Sequence, residues 1–447
     1  MKPAEDVLSE LIQRSNIAVN SDLALVGSVD AAAAEDDDKR KEKEGEPLRR
    51  KPCLNPIPQT NLASFRLTPW GVLHSIAQGI ALSRQGAGRG LAEHWGSLKY
   101  TQALAGSSNA YMRLSIEGKE TAEYYKALQS KELGIGFALA LAKQILSRRY
   151  PRHFVSIVHA DTALRAGWAK LGHYRPQFFA EVWRPREPSR VFPIRCKGNH
   201  SNAAASHDQL ASASAHVEAV HIGSWNETPS LIFSTEISVD SPLTIHALHS
   251  DEDGGWLNGS AVLPDGKLDH QIKEENFYPG IQPPGDDSIT RPAETVSGFH
   301  VPPERFEWFH QVLSRTAAAA LTAFTGDGNA TAQYLTRRQG KSRFGDVSHP
   351  TIGSVRDAQH KLLDISFVGT DHVFRLNGTR VEAFSGVAED LFEYLKKGHV
   401  EQYRSEAYAR RSDWPVDTWD AKWDGPVSVH PDGSVLAMRM FRPEISG

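Results

Sequence analysis

Two strand-forming runs set close together, within Tyr174 to His200, constrain the fold of this chain more than any other stretch. The first is Pro176-Gln177-Phe178-Phe179-Ala180-Glu181-Val182-Trp183. After a turn carrying Pro185 and Pro188 comes the second, Val191-Phe192-Pro193-Ile194-Arg195-Cys196-Lys197-Gly198. Both are rich in aromatic and branched apolar residues, the composition of a pleated, buried surface. Side chains at i and i+2 share one strand face, so Arg195 and Lys197 point the same way. A sheet built on such strands has to be covered, and the sequence supplies cover before and after it.

Upstream, Glu132 to Arg149 is a nearly all-round apolar helix, the kind buried against a sheet, and Tyr150-Pro151 stops it. Phe154 to Ala160 reads as a core strand ending at Asp161. Downstream, His207 to Val220 reads as a helix packing through Ala and Ser, and Ser230 to Ile237 as another strand. The order from 132 is helix, strand, strand, strand, helix, strand, so the expected class is α/β. Residues 1–60 are expected to be a disordered or linker tail, because the mixed-sign charge run from Glu35 to Lys51 is too polar to bury a core. Residues 61–130 read as a helical N-terminal region and 131–278 as the central core. A Pro/Gly-rich linker is expected over 279–303 and an α+β C-terminal region over 304–447. The latter has hairpin turns at Asn377-Gly378 and Pro431-Asp432-Gly433.

The chain has 447 residues, 40% hydrophobic and 23% charged, enough to build a sizeable core. A formal net charge of −4 excludes a global basic field, so any nucleic-acid contact has to come from local patches. Two cysteines far apart in sequence, Cys53 and Cys196, exclude a disulfide framework and suit a reducing compartment. With no secretory apolar core at the start and no run of about 18 apolar residues, the expectation is a cytoplasmic protein without a membrane span.

Metal-dependent phosphodiester hydrolysis needs carboxylate oxygens around a hard cation such as Mg²⁺, with a lysine close to the water and the phosphate. One acid on one strand, and an acid and a lysine two residues apart on its neighbour, bring these groups into one site. Residues 132–237 resemble the PD-(D/E)xK restriction-endonuclease-like superfamily in motif spacing and in the order of elements. The family's Pro-Asp falls on Pro176-Gln177, and its (Asp/Glu)-x-Lys falls on Arg195-Cys196-Lys197. Lys197-Gly198 closes a strand before a helix, as in the family. The first-helix glutamate of many members would be Glu132. Of the Gln-x-x-x-Tyr motif of some members, Gln209 is present and Ala213 stands at the tyrosine position. The resemblance implies a restriction-endonuclease-like core. The departures are as informative as the matches, because both acids are replaced. A neutral amide at Gln177 binds Mg²⁺ weakly and the Arg195 guanidinium repels it. Arg195 and Lys197 together suit a phosphate oxygen better than a metal.

The leading expectation is a nucleic-acid-binding protein on a degenerate nuclease fold, with DNA as its partner and no metal cofactor. It would work among other proteins in a DNA-processing, repair or foreign-DNA defence system. Arg195 and Lys197 would hold phosphate and Gln177 would hydrogen-bond nearby. Arg337, Arg338, Lys341 and Arg343, with Tyr334 and Phe344 to stack on bases, would extend the footprint. The alternative is an active Mg²⁺-dependent endonuclease with relocated ligands. There Glu132 and Asp161 would hold the metal and Lys197 would be the catalytic cation. Glu181 would join only if the strands bend, since it lies roughly 13 Å along the strand from Gln177. A third reading is a scaffold subunit with no nucleic-acid contact. His200, His207, His216 and His221 match no standard zinc spacing, and His200 is the candidate to replace a missing water activator. Gln85-Gly86-Ala87-Gly88-Arg89-Gly90 follows no clear strand and reads as a flexible turn rather than a phosphate cradle.

Overall fold

The computed structural model describes residues 2–43, 45, 47–83, 93–105, 110–168, 171–224, 227–258, 280–281, 296–344 and 355–441. The Gly-rich piece 85–90 and residues 282–295 of the expected linker lie outside the described residues. In chain order the elements that matter are α1 (Ala4–Leu11), β1 (Ala18–Asn20), α2 (Leu23–Glu42), β2 (Asn55–Pro56), α3 (Pro69–Ile80), α4 (Glu123–Arg149), β3 (Phe154–His159), α5 (Ala160–Leu164), β4 (Phe178–Trp183), β5 (Ser189–Asn199), α6 (Ala203–Glu218), β6 (Ser230–Glu236) and β7 (Thr244–Ser250).

The central sheet runs β1-β7-β6-β5-β4-β3. β3, β4 and β5 form an antiparallel meander. β6 then lies parallel to β5, a return that needs a crossover, and α6 is that crossover. β7 closes antiparallel to β6. The chain is therefore a mixed α/β protein, and the helices and strands read from the sequence follow in the expected order, with the short helix α5 inserted between β3 and β4. α4 starts nine residues earlier than the sequence suggested, at Glu123.

Alternation along β4 and β5 sends Phe178, Ala180, Val182, Phe192, Ile194 and Cys196 to one face. There they meet Leu133, Phe137 and Leu141 of α4 in the main core. Leu-Gly-Ile-Gly within α4 is explained by close approach on two sides. A Cβ at Gly134 would lie 2.6 Å from the Lys197 carbonyl oxygen, and one at Gly136 would lie 2.5 Å from Ile76 of α3. α4 therefore rests on the end of β5 through one glycine and on α3 through the other. The opposite sheet face is covered by α6, where Leu210, Ala213 and Val217 pack on Ile232 and Leu248.

The rest of the chain joins this core rather than standing apart. The C-terminal part begins with α7 (Phe306–Phe324) and α8 (Gly328–Tyr334). It continues through β8 (Val355–Leu362), β9 (Ile365–Leu376), β10 (Thr379–Ala388), α9 (Glu389–Lys396), α10 (Val400–Ala409), β11 (Thr418–Asp420), β12 (Gly425–Val429) and β13 (Ser434–Met440). Its strands form an antiparallel sheet ordered β8-β9-β10-β13-β12-β11. α3 is wedged between that sheet and α4. Trp70 donates its indole N–H to the Leu436 carbonyl at 2.8 Å, and His74 bridges Ser428 and Ser434. One hydrophobic cluster consequently runs from Ala4 to Met438.

Two expectations are corrected here. Residues 1–60 are not a linker tail among the described residues. β1 and β2 both pair with β7, and α1 buries Val7, Leu8 and Leu11. The first part of the charge run, Glu35 to Glu42, forms the second half of α2. Its charges sit at helical spacing and compensate one another, Glu35 with Lys39 and Asp36 with Arg40. Arg50 returns to Asp36 and Asp37, and the wholly buried Lys51 ammonium pairs with Glu218 of α6. Residues 61–130 are less helical than expected. Between α3 and α4 they hold a 3-10 helix, Glu93–Tyr100, and the short strands Leu104–Ala105 and Arg113–Leu114. Among the described residues no helix is long and apolar enough to cross a membrane.

Candidate nucleic-acid interface

Three chain segments meet at one end of the central sheet: the exit of β3 into α5, the approach to β4, and the last residues of β5. The Gln177 N–H donates to the Ile194 carbonyl at 2.8 Å, and its own carbonyl accepts from Ala160. That ties Gln177 beside Arg195 and beside α5. By strand alternation Gln177, Arg195 and Lys197 all lie on the face away from α4. On the neighbouring strand, Ile232 and Ser234 pair with Arg195 and Lys197 in register. Gln209 of α6 locks the end of β5. Its amide donates to the Gly198 carbonyl at 3.1 Å and its oxygen accepts from Ser234 at 2.7 Å. On the other side a Cβ at Gly198 would collide with the Ser130 carbonyl, so only glycine permits this contact with α4.

The electrostatics of this end are unusual. Among the described residues the side chains of Gln177, Arg195 and Lys197 make no hydrogen bond and no ion pair, and Arg195 Nε is buried without a partner. Such groups normally find partners in a folded protein. Burial pulls the Arg195 guanidinium below its ordinary value, with Arg175 adding repulsion. Burial, Arg195 and Lys131 together pull the Lys197 ammonium down to about 8. His216 of α6 sits against the backbone of Arg175. Burial, helped by Arg195 and Lys197, lowers its imidazole to about 3 and keeps it neutral. The nearest acid, Asp161, is already engaged, accepting two hydrogen bonds from Arg175 at 2.5 and 3.0 Å. Burial alone would raise its carboxyl, but the Arg175 hydrogen bonds and the His159 and Arg175 charges hold it below the usual range. The site is a partly buried cationic patch whose two strand cations make no ion pair among the described residues, Asp161 acting on Arg195 only at longer range.

Comparison with family models, with curated proteins and with solved structures returns no match to this chain. The reading of the site therefore rests on its own chemistry.

The relocated metal set is not assembled. Glu132 lies about 200° around α4 from Ser130, at 100° per residue, and turns away from β5 to pair with Lys99 at 2.7 Å. Glu181 is buried farther along β4, where Arg404 grips it with two hydrogen bonds at 3.0 and 3.2 Å. Asp161 belongs to Arg175. Each acid has its own cation, and among the described residues no group of three His, Cys, Asp or Glu side chains could hold a metal ion. The donors present do not fit Mg²⁺, so no catalytic role is derived for Glu132, Asp161, Glu181 or Lys197. His200 is hydrogen-bonded through Nδ1 to the Ile237 carbonyl at 3.1 Å, which makes it a strand-end residue.

The basic-aromatic stretch is half as expected. Arg337, Lys341 and Arg343 are exposed, while Arg338 donates to the Gly167 carbonyl at 3.1 Å. Gln339 donates to the Thr162 carbonyl, which ties this loop to α5 beside Asp161. Tyr334 and Phe344 are core residues and present no ring for stacking, and the Tyr334 hydroxyl donates to the Leu395 carbonyl. Sequence reasoning missed Arg175, Lys131 and the placement of His216. Arg175 adjoins Pro176 and was visible, but its partner Asp161 is 14 residues upstream and was not.

Proposed function

We propose that this protein binds nucleic acid, DNA above all, through phosphate contacts of Arg195 and Lys197. The core resembles that of PD-(D/E)xK nucleases, with a neutral amide, Gln177, and a cation, Arg195, where that family has its acidic metal ligands. Such a protein would act with other subunits in DNA processing, repair or defence against foreign DNA. One observation supports this reading: among the described residues two half-buried cations on one strand face make no hydrogen bond or ion pair, while the adjacent carboxylate is held by a third cation. A phosphate oxygen satisfies both the charge and the unused N–H donors. Gln177 adds an amide donor beside them. The exposed Arg337, Lys341 and Arg343, on a loop fastened to α5, lengthen the cationic track.

The direct test is a salt titration of duplex and single-stranded oligonucleotide binding. Replacing Arg195 and Lys197 together by alanine should weaken binding about a hundredfold, taking ~1.5 kcal/mol for each charged hydrogen bond. The slope of log affinity against log salt should fall by about 1.8, two phosphate contacts at ~0.9 each. Unchanged affinity and slope would end the reading.

A pH titration makes a second, independent check. Below about 8 the Lys197 amine is protonated and grips phosphate, and above it the charge is lost. Affinity at fixed salt should therefore decline as pH rises through about 8, and Lys197→Arg should flatten the profile. Unfolding does not account for such a decline. A lysine whose pKa is lowered by folding adds stability as pH climbs from the folded value toward the unfolded value of ~10.4.

A further inference from the structure

The rings expected for base stacking are buried, yet the protein does expose two others beside the same site. Tyr124 and Tyr125, in the first turn of α4, are 78% and 47% exposed. Their rings lie 4.4 Å apart at a 38° tilt. Two adjacent exposed rings offer flat apolar faces to a ligand.

Its position follows from helix geometry. Ser130 and Gly134 rest on the end of β5, and Lys131 between them is exposed and acts electrostatically on Lys197. Tyr124 precedes Lys131 by seven residues, which returns it to the same helix face about 10.5 Å along the axis. Leu128, half-buried, lies between them on that face. The carboxylate nearest the rings, Glu123, is neutralised by Lys126 at 2.6 Å. The two tilted phenols, Leu128 and Lys131 therefore share one side of α4, and Lys131 acts on Lys197 round the end of β5.

We infer that the Tyr124–Tyr125 pair is a stacking platform for unpaired bases, so that the preferred ligand is single-stranded nucleic acid whose backbone passes Lys131 to Lys197 at the end of β5. This rests on the phosphate-binding reading and narrows its substrate class. Duplex bases are stacked on one another and present no face to the tyrosines. A single strand offers a face from every base, whatever its sequence.

The test measures binding of labelled oligothymidylate, oligouridylate and a duplex by fluorescence anisotropy. Wild type should prefer a single strand. Tyr124→Ala with Tyr125→Ala should weaken single-strand binding about tenfold to a hundredfold, leave duplex binding unchanged, and be rescued by Tyr→Trp at both positions. Both side chains are exposed, so the fold should be unaffected, as circular dichroism would verify. If the tyrosine variant binds single strands like wild type while Arg195→Ala with Lys197→Ala does not, the stacking inference is overturned and the phosphate reading stands. The tyrosines are then a contact of another kind, such as a protein interface. If wild type binds none of the three probes, both are overturned.

Discussion

Arg404→Leu should destabilise the protein by about 3–5 kcal/mol, the cost of removing one partner from a buried ion pair. Glu181 projects from the middle of β4 and is 2% exposed. Arg404 on α10 holds both its oxygens and lies 3.9 Å over the Trp183 ring. Burial by itself would raise the Glu181 carboxyl, but Arg404 and then His310 hold it below the usual range, so it is charged at neutral pH. In the variant this charge keeps no close cation but His310, 3.4 Å away, among the described residues. Two further measurements separate this cause from simple loss of packing. Glu181→Leu with Arg404→Leu should recover most of the loss, because an apolar pair of similar volume often replaces a buried ion pair at little cost. The single variant's deficit should also shrink on acidification, as Glu181 takes up a proton it no longer has reason to refuse. Denaturant melts that show additive losses in the double variant would put Arg404 down as a packing residue. The pair also bears on function. Glu181 was a candidate metal ligand by sequence, and it serves to bolt the C-terminal helices to the central sheet.

What the sequence disclosed and what it hid divide along a physical line. Elements bounded by local chemistry were legible. The strands of the meander are apolar runs cut by proline and glycine. The β9–β10 hairpin announces itself through Asn377-Gly378, whose φ values of 50° and 83° are those a two-residue turn of this hand demands. The shared face of Arg195 and Lys197 followed from the two-residue repeat alone. Contacts between distant segments were not legible. Asp161 looked available as a ligand because nothing in its neighbourhood reveals that Arg175 folds back onto it. Tyr334 sits three residues before Arg337, and Phe344 directly follows Arg343. Adjacency suggested one surface, yet the rings turn into the C-terminal core while Arg337, Lys341 and Arg343 turn out. The same blindness worked in reverse at Tyr124, whose ring could have been buried by any helix crossing α4.

The largest misjudgement concerns the N-terminal segment, and it leads to the largest predicted effect: deletion of residues 2–57 should abolish the cooperative fold. By composition, Glu35 to Lys51 resembles a solvated linker, and loss of a linker leaves thermal stability unchanged. In the structure the segment buries seven branched aliphatic side chains, Val7, Leu8, Leu11, Ile17, Leu25, Val29 and Ile57. At ~1.5–3 kcal/mol each they contribute about 10–20 kcal/mol before the entropy of ordering the segment is set against them. The total stability of a domain is only ~5–15 kcal/mol. Deletion also strips β1 and β2 from β7, leaving that strand as a bare edge open to aggregation. Glu218, 2% exposed, loses both Arg49 and Lys51 and becomes a buried charge without its cations. The truncated protein should therefore be insoluble, or bind a hydrophobic dye and melt without a sharp transition. A gentler variant isolates the docking itself. Leu25→Asp with Val29→Asp keeps the chain intact and puts carboxylates against Leu210 and Val217 of α6, and it should cost several kcal/mol by the same reasoning. A truncated protein with the melting temperature and cooperativity of the full chain would return residues 2–57 to the status of a tail. Because α6 also carries Gln209 and His216, loosening its outer face should weaken the proposed phosphate binding at Lys197 as well.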